Sequence, residues 1–403
     1  MPEQLVNLDS IRSARAAFGD AVKLTPLDLS ATFSRLCGRQ IHFKLENLQK
    51  TGSFKVRGAL NKLRLLSPEA RRRGVITASA GNHAQGVAYA ARAAGVHATV
   101  VMPETAAFSK VNATTDYGAE VLLHGSDYSE AFRRATQLAK ERGSTFVHAF
   151  DDADVIAGQG TVALEILEQL PEIDTLVVPV GGGGLLAGTV AALRGMRSAA
   201  RVVAVQAAGA SSLAPSLRQK RRVEIDSVDT IADGLATRAI GELPFRIIGD
   251  DVAQALEVSD AEIAEAVLLL LERTKTVVEA AGAVGLAAAL SNRLPADSNN
   301  VVVVISGGNI DMNLLDRIIN LGLIHEGRLF RFTTRLSDRP GELQRLVTCI
   351  ATCRANIHQI AHERAQPGLP LTQASVTLDL ETRGRTHIGD IKAALAAAGF
   401  DVQ

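Results

Sequence analysis

The chain has 403 residues, 47% of them apolar and 21% charged, which describes a globular protein of two or three domains and excludes a disordered one. Lysine plus arginine and aspartate plus glutamate each number 43, and this neutral balance argues against nucleic acid as the partner. Three cysteines (Cys37, Cys349 and Cys353) form no disulfide framework and point to a reducing, cytoplasmic setting.

The first residues carry Glu3 and Asp9 and lack a long apolar core, so no signal peptide is expected. Strand-length apolar runs follow at 75–79, 98–102, 120–123, 146–148, 176–180, 202–206 and 301–306. Helical patterns lie between them, for example at 84–94, 128–142, 160–169 and 261–273. This alternation predicts an α/β fold with mostly parallel sheets. The runs 176–180 and 301–306 are continuous in Val, Leu and Ile, as expected for strands covered on both faces. Residues 176–193 are uncharged, yet Pro179 and four consecutive glycines inside them predict a buried strand, a loop and a buried helix rather than a membrane span. The basic runs at 71–73 and 220–222 are short and read as solvated helix ends or loops.

The pattern changes near Gly327. Residues 328–336 alternate like a half-exposed strand, and a polar turn, Ser337-Asp338-Arg339-Pro340-Gly341, precedes an amphipathic helix at 342–353. Strands at 357–364 and 373–380 and a helix at 388–398 complete a β-α-β-β-α order, which predicts a small ferredoxin-like domain after a linker at 324–327. Cys349 and Cys353 stand four apart on one helix face, where packing is the expected role and a metal is not.

Four local signals carry chemistry. In Thr51-Gly52-Ser53-Phe54-Lys55-Val56-Arg57-Gly58-Ala59 a lysine follows a tight turn and opens a helical pattern. The positive helix end disfavours an ammonium there, as an imine-forming amine requires. In Ala78-Ser79-Ala80-Gly81-Asn82-His83 small and polar residues mark a strand-to-helix turn whose N–H groups can seat a carboxylate. In Gly181-Gly182-Gly183-Gly184-Leu185 a glycine turn follows a buried strand and opens a helix, and a phosphate is its natural guest. The spacing matches neither the dinucleotide nor the nucleoside-triphosphate fingerprint. In Ser306-Gly307-Gly308-Asn309 a neutral hydroxyl stands at the carboxyl end of a buried strand, within reach of a ligand crevice. Each signal alone also suits an ordinary surface lysine, capping turn or strand end. Together they provide an amine for an imine, seats for a phosphate and a carboxylate, and a hydroxyl for a ring nitrogen, which suits pyridoxal phosphate and an amino-acid substrate.

In order and spacing these motifs resemble the serine/threonine dehydratases of the fold-type II pyridoxal-phosphate enzymes over residues 10–323. The resemblance implies the two-domain parallel α/β fold of that type (tryptophan synthase β-like). Residues 1–74 and 150–323 would form the large cofactor domain and 75–149 the small one. It implies that Lys55 is the Schiff-base lysine and α-proton base, with Phe54 beside it. It further implies that Asn82 meets the ring hydroxyl, that Gly181, Gly182, Gly183, Gly184 and Leu185 hold the phosphate, and that Ser306 faces the ring nitrogen. Ser79, Ala80, Gly81 and His83 would receive the substrate carboxylate, with Glu279 and Gly282 near the ring. The implied reaction removes the β-hydroxyl of threonine or serine to give a 2-oxo acid and ammonia. Residues 328–403 resemble an ACT domain, a regulatory module of amino-acid metabolism in which Asp338, Gly341 and Asn356 would meet an amino-acid or nucleotide effector. A homodimer or homotetramer is the implied assembly, with no membrane partner. Racemases of this family carry a serine where this chain has Ala80, and β-replacement relatives carry threonines in the phosphate loop, so both are second choices. Relatives that bind a divalent ion use an acid near Gln206, so no metal is expected. An amino-acid sensor without enzymatic activity has no use for Lys55.

Overall fold

The computed structural model describes residues 6–365 and 367–402; Glu3 of the N-terminal stretch lies outside them. The chain divides into two compact units, Met1–Asp311 and Met312–Gln403.

The first unit holds two sheets. One contains β1 (Leu27–Leu29), β2 (Gln40–Leu45), β7 (Thr175–Pro179), β8 (Arg201–Ala207), β9 (Val252–Val258) and β10 (Asn300–Ile305), and the other contains β3 (Val75–Ala78), β4 (Ala98–Met102), β5 (Glu120–Leu123) and β6 (Thr145–Phe146). The large sheet runs β1-β2-β10-β7-β8-β9 and the small one β5-β4-β3-β6. Every pairing is parallel except that of the short edge strand β1 with β2. Strand β7 is buried throughout and β10 from Val301 to Ile305, which explains their unbroken apolar runs.

Three strands of the large sheet escape a sequence reading. In β2 the apolar residues alternate with His42 and Lys44, and both polar residues are nevertheless buried. Strand β9 is a half-exposed edge, and β1 has only three residues. The strand expected at 146–148 is the two-residue β6.

Helix Ala153–Gln169 starts seven residues before its expected pattern because Asp152 caps it, accepting from the N–H groups of Asp154 and Val155. Ser259 and Glu262 form a reciprocal cap on helix Asp260–Thr274. Helix Ala280–Leu290 is almost wholly apolar and lies on β7 to β10. The basic runs are exposed, Arg71 to Arg73 ending helix Pro68–Arg73 and Lys220 to Arg222 following helix Leu213–Gln219. No helix among the described residues is long and apolar enough to cross a membrane.

The second unit starts earlier than the expected linker. Residues 324–327 are not a linker: helix Met312–His325 runs into them and packs on β11 (Leu329–Ser337), with Gly327 turning the chain at φ +71°. Strands β12 (Asn356–Glu363) and β13 (Gln373–Glu381) complete an antiparallel sheet in the order β11-β13-β12. Helices Glu342–Thr352 and Arg385–Ala397 pack together over a core that includes Phe332, Leu346, Leu378 and Ile391. Cys349 and Cys353 pack against that core.

Candidate active site

The carboxyl ends of adjacent strands β2, β10 and β7 gather three of the four signals, because Ile305 pairs with Leu45 and Val303 with Val177. After β2 the chain turns through Thr51-Gly52-Ser53 and is stitched to the segment after β10. Phe54 N–H donates to Ser306 O at 3.1 Å and Gly308 N–H to Gly52 O at 2.9 Å. Gly52 has φ +72°, and any side chain there would strike Asn309. Ser306, held in this stitch, is buried.

Helix Lys55–Arg64 begins at the lysine itself. The Lys55 amine donates to Ala149 O at 3.2 Å and lies 5.2 Å from the Phe54 ring centre. Burial pushes its pKa down to about 8, and the Glu279 carboxyl pulls it partly back up. Desolvation is thus the dominant cause, where the sequence argument relied on the helix end.

The glycine turn leaves β7 and becomes helix Gly184–Met196, with Gly183 at φ +92°. A Cβ at Gly181 would meet Leu235 Cα at 3.1 Å, one at Gly183 the Pro244 side chain at 3.0 Å, and one at Gly184 Phe150 Cα at 3.0 Å. At Gly182 it would run into the Phe150 ring. Gly182 is closed to a side chain and the other three positions are tightly packed, and the N–H groups of the first helical turn have no partner within the helix. Leu185 lies in the large core behind them.

The carboxylate seat comes from the small sheet. Strand β3 ends, Ser79 Oγ accepts from Gly81 N–H at 3.2 Å, and helix Asn82–Ala94 begins. Beside Gly81 is open space, and Ala80 carries only a methyl group. Asn82 Nδ2 donates to Glu279 Oε1 at 2.6 Å, while its Oδ1 accepts from Asn309 Nδ2 at 2.7 Å. One amide hydrogen of Asn82 remains for a ligand. Burial raises the Glu279 pKa to about 7, opposed by the Asn82 hydrogen bond and by the charges of Lys110 and Lys55. Gly282 lies against Gly307, where a Cβ would meet Gly307 O at 2.7 Å, so Glu279, Gly282 and the Ser306 segment form one surface.

His83 is buried, with Nε2 at 3.1 Å from Val147 O and Nδ1 without a partner. Burial and the nearby Lys55 charge push its pKa down to about 3, so the ring is neutral and anchors the helix start to the small sheet. As pH falls below 6.5, the ordinary histidine value, the unfolded chain takes up a proton that the folded chain refuses. Folding stability tied to His83 therefore declines from pH 6.5 downward, by about 2 to 3 kcal/mol for each two pH units. His83→Asn should show a flatter decline in urea-unfolding free energy between pH 6.5 and 4.5; parallel curves for variant and parent would refute this assignment.

Several members of the site carry no sequence signal. Phe150 covers the glycine turn, and its ring stacks edge-on to His148 at 4.6 Å between centroids. Asn309 ends the Ser306-Gly307-Gly308-Asn309 motif, and its amide joins Asn82 Oδ1 at 2.7 Å to Thr51 O at 2.8 Å. Thr51 and Ser53 are buried with unpartnered hydroxyls. Lys110 and Asp233 pair at 3.1 Å.

In the second unit the effector residues do not converge. Asn356 pairs across the sheet with Glu381, which also pairs with Leu329. Asp338 and Gly341 follow Ser337, which pairs with Gln373 at the other end of the sheet, roughly 25 Å away. Asp338 is held by Arg364 at 3.1 Å, and Gly341 has φ +95° at the start of helix Glu342–Thr352. Among the described residues of the whole chain no three His, Cys, Asp or Glu side chains are grouped to hold a metal.

Pyridoxal phosphate fits the first-unit site on three counts. The four-glycine turn packs tightly against Leu235, Phe150 and Pro244 and opens a helix whose first N–H groups are free for a phosphate. Burial lowers the Lys55 pKa to about 8, so far more of its amine is free base near neutral pH than in an exposed lysine. The hydroxyls of Thr51 and Ser53 are buried polar groups that lack partners within the protein. A family model described as pyridoxal-phosphate dependent enzyme matches residues 19–307. The chain is 44% identical over 399 residues to an L-threonine ammonia-lyase of Thermotoga maritima, covering 99% of each chain. The solved structure of maize serine racemase is 36% identical, with a TM-score of 0.75 over 80% of this chain and 99% of its own. The processed form of threonine deaminase isoform 2 from Solanum lycopersicum is 35% identical, with a TM-score of 0.75 over 79% of this chain and 87% of its own. With site and sequence in agreement over most of its length, the chain belongs to the family of pyridoxal-phosphate dependent enzymes.

Proposed function

We propose that the chain is an L-threonine ammonia-lyase that also acts on L-serine, releasing 2-oxobutanoate or pyruvate with ammonia. The observation that carries this reading is the Lys55 amine, depressed to about 8 by burial and set at the strand ends with a tightly packed glycine turn. Near-complete coverage of an L-threonine ammonia-lyase supports the choice of substrate.

The bound cofactor acts as an electron sink for the substrate's α-carbon. The chain's own residues do the rest. The turn from Gly181 to Leu185 would hold the phosphate by backbone N–H groups, with the Phe150 ring packed against Gly182. The N–H groups of residues 79–83 and the remaining Asn82 amide hydrogen orient the substrate carboxylate and the ring hydroxyl. The Lys55 amine, once free, takes the α-proton as general base. Ser306 offers the ring nitrogen a neutral hydroxyl, which leaves that nitrogen without a full charge partner and favours loss of the β-hydroxyl over longer-lived carbanion chemistry. Racemisation needs a second proton-transferring group opposite Lys55, and Ala80 has none.

The test is steady-state kinetics on L-threonine and L-serine with 2-oxo acid, ammonia and chirality followed together. Stoichiometric 2-oxo acid and ammonia are expected from both. Inversion of serine without 2-oxo acid would replace this reading with racemisation.

The second unit, as an ACT-type module, would regulate the first. Its expected contacts Asp338 and Asn356 lie at opposite ends of one sheet, so an effector touching both needs two copies of the chain, in keeping with a homodimer or homotetramer. Isoleucine, valine and AMP are the ligands to try. Three unpaired cysteines support a cytoplasmic setting.

A further inference from the structure

Beneath Lys55 lies a cluster of ionised side chains that no step of the proposed reaction uses. Arg57, Lys44, Glu46 and Glu165 are all buried, and the two carboxylates balance the two cations. They come from four places: Lys44 from β2, Glu46 from the turn after it, Arg57 from the first turn of helix Lys55–Arg64, and Glu165 from helix Ala153–Gln169.

Every donor of the Arg57 guanidinium is used. Nε and Nη2 fork onto Glu46 at 2.8 Å each. Nη1 and Nη2 fork onto Glu165 at 2.7 and 2.9 Å, and Nη1 also donates to Thr161 Oγ1 at 3.1 Å. The Lys44 ammonium is equally saturated, by Glu165 at 2.7 Å, Gln169 at 2.8 Å and Thr25 O at 2.9 Å. Burial favours neutral Glu165, but Arg57 and Lys44 hold it ionised, below the usual carboxylate range. Two opposed forks on one planar group fix its position and its rotation, which a lysine or an apolar residue would not do.

The helix that carries Lys55 has no slack elsewhere. A Cβ at Gly158 would meet Arg57 O at 2.5 Å, so helix Ala153–Gln169 touches its backbone directly. A Cβ at Gly86 would meet Lys55 C at 3.2 Å, so helix Asn82–Ala94 presses on the lysine's own backbone from the small-sheet side. Buried ion clusters of this kind add little net stability compared with apolar packing, and their best-attested use is to specify one arrangement.

We infer that Arg57 is a positioning residue for Lys55: its double fork onto Glu46 and Glu165 sets the rotation of the first helical turn and so the place where the amine stands. The inference rests on Lys55 being the reactive amine. A displacement of the amine by about 1 Å is enough to lower turnover by about tenfold to a hundredfold.

The test uses holoenzyme variants Arg57→Lys, which keeps the charge and loses the forks, and Glu165→Gln, which keeps the shape and loses one charge. Val190→Ala, a core change in helix Gly184–Met196, serves as a control for lost stability alone. The readouts are Tm, kcat and KM per bound cofactor, and the pH midpoint of the cofactor's visible absorbance. For Arg57→Lys we expect kcat to fall by about tenfold or more with KM within about threefold, and the midpoint to move by about half a pH unit or more. If Arg57→Lys does not fold, Glu165→Gln carries the same expectation. The inference is overturned if the variant that folds lowers Tm as Val190→Ala does while kcat and the absorbance midpoint stay at parental values. Parental protein that lacks a lysine-dependent absorbance band would instead sink the role of Lys55, a separate outcome.

Discussion

Lys55→Ala should lose at least about 10⁴-fold in threonine turnover and the visible absorbance of the lysine-bound cofactor together. The magnitude follows from two removals at once. The side chain both carries the cofactor and supplies the base for the α-proton, and among the described residues no other lysine opens the helix at the strand ends. Lys110, whose charge acts on Glu279, is paired with Asp233 at 3.1 Å. His83 cannot act as the base, since burial holds its pKa near 3 and its ring is tied to Val147. The variant should still retain cofactor noncovalently, because the glycine turn is untouched, and small primary amines should restore part of the activity. Borohydride reduction followed by peptide mapping gives the direct check: the pyridoxyl group should appear on residue 55 in the parent and nowhere in the variant. A variant with more than a tenth of parental turnover would refute the role.

The parts of this site that are visible in the sequence are those whose physics is local. A run of four glycines after an apolar strand announces a tight turn, and a strand that ends in Ser-Gly-Gly-Asn announces a strand end, whatever the rest of the chain does. What the sequence hides depends on distant partners. Arg57 stands in the same motif as Lys55, but its meaning comes from Glu165, 108 positions on. Strand β2 fails the apolar-run test because its buried Lys44 is paid for by partners on another helix. Phe150 reads as one aromatic among many until the fold lays it on Gly182. For Lys55 the helix-end argument gives the right direction, but the cause is burial, which cannot be read from spacing. The linker expected at 324–327 fails for the same reason: helix Met312–His325 runs into it, and that helix's attachment to β11 is a packing fact.

The second large effect is expected at the glycine turn. Gly183→Asp should lower Tm and weaken pyridoxal-phosphate binding by about a hundredfold or more, two effects whose causes can be separated. Gly183 has φ +92°, a backbone conformation that costs a side-chain-bearing residue about 1 to 2 kcal/mol, and its Cβ would sit 3.0 Å from the Pro244 side chain. Both penalties fall on folding and apply equally to Gly183→Ala. Only the aspartate adds a negative charge beside a bound phosphate, a repulsion of roughly 4 kcal/mol per charge pair at 4 Å in a surface-like dielectric. The alanine variant should therefore lose Tm but keep most of its affinity, while the aspartate variant loses both. Titration with pyridoxal, which lacks the phosphate, sharpens the contrast: alanine and aspartate variants should bind it alike. If the aspartate variant retains as much pyridoxal phosphate after dialysis as the alanine variant does, the phosphate does not lie on residues 181–185, and the seat must be sought elsewhere at the strand ends.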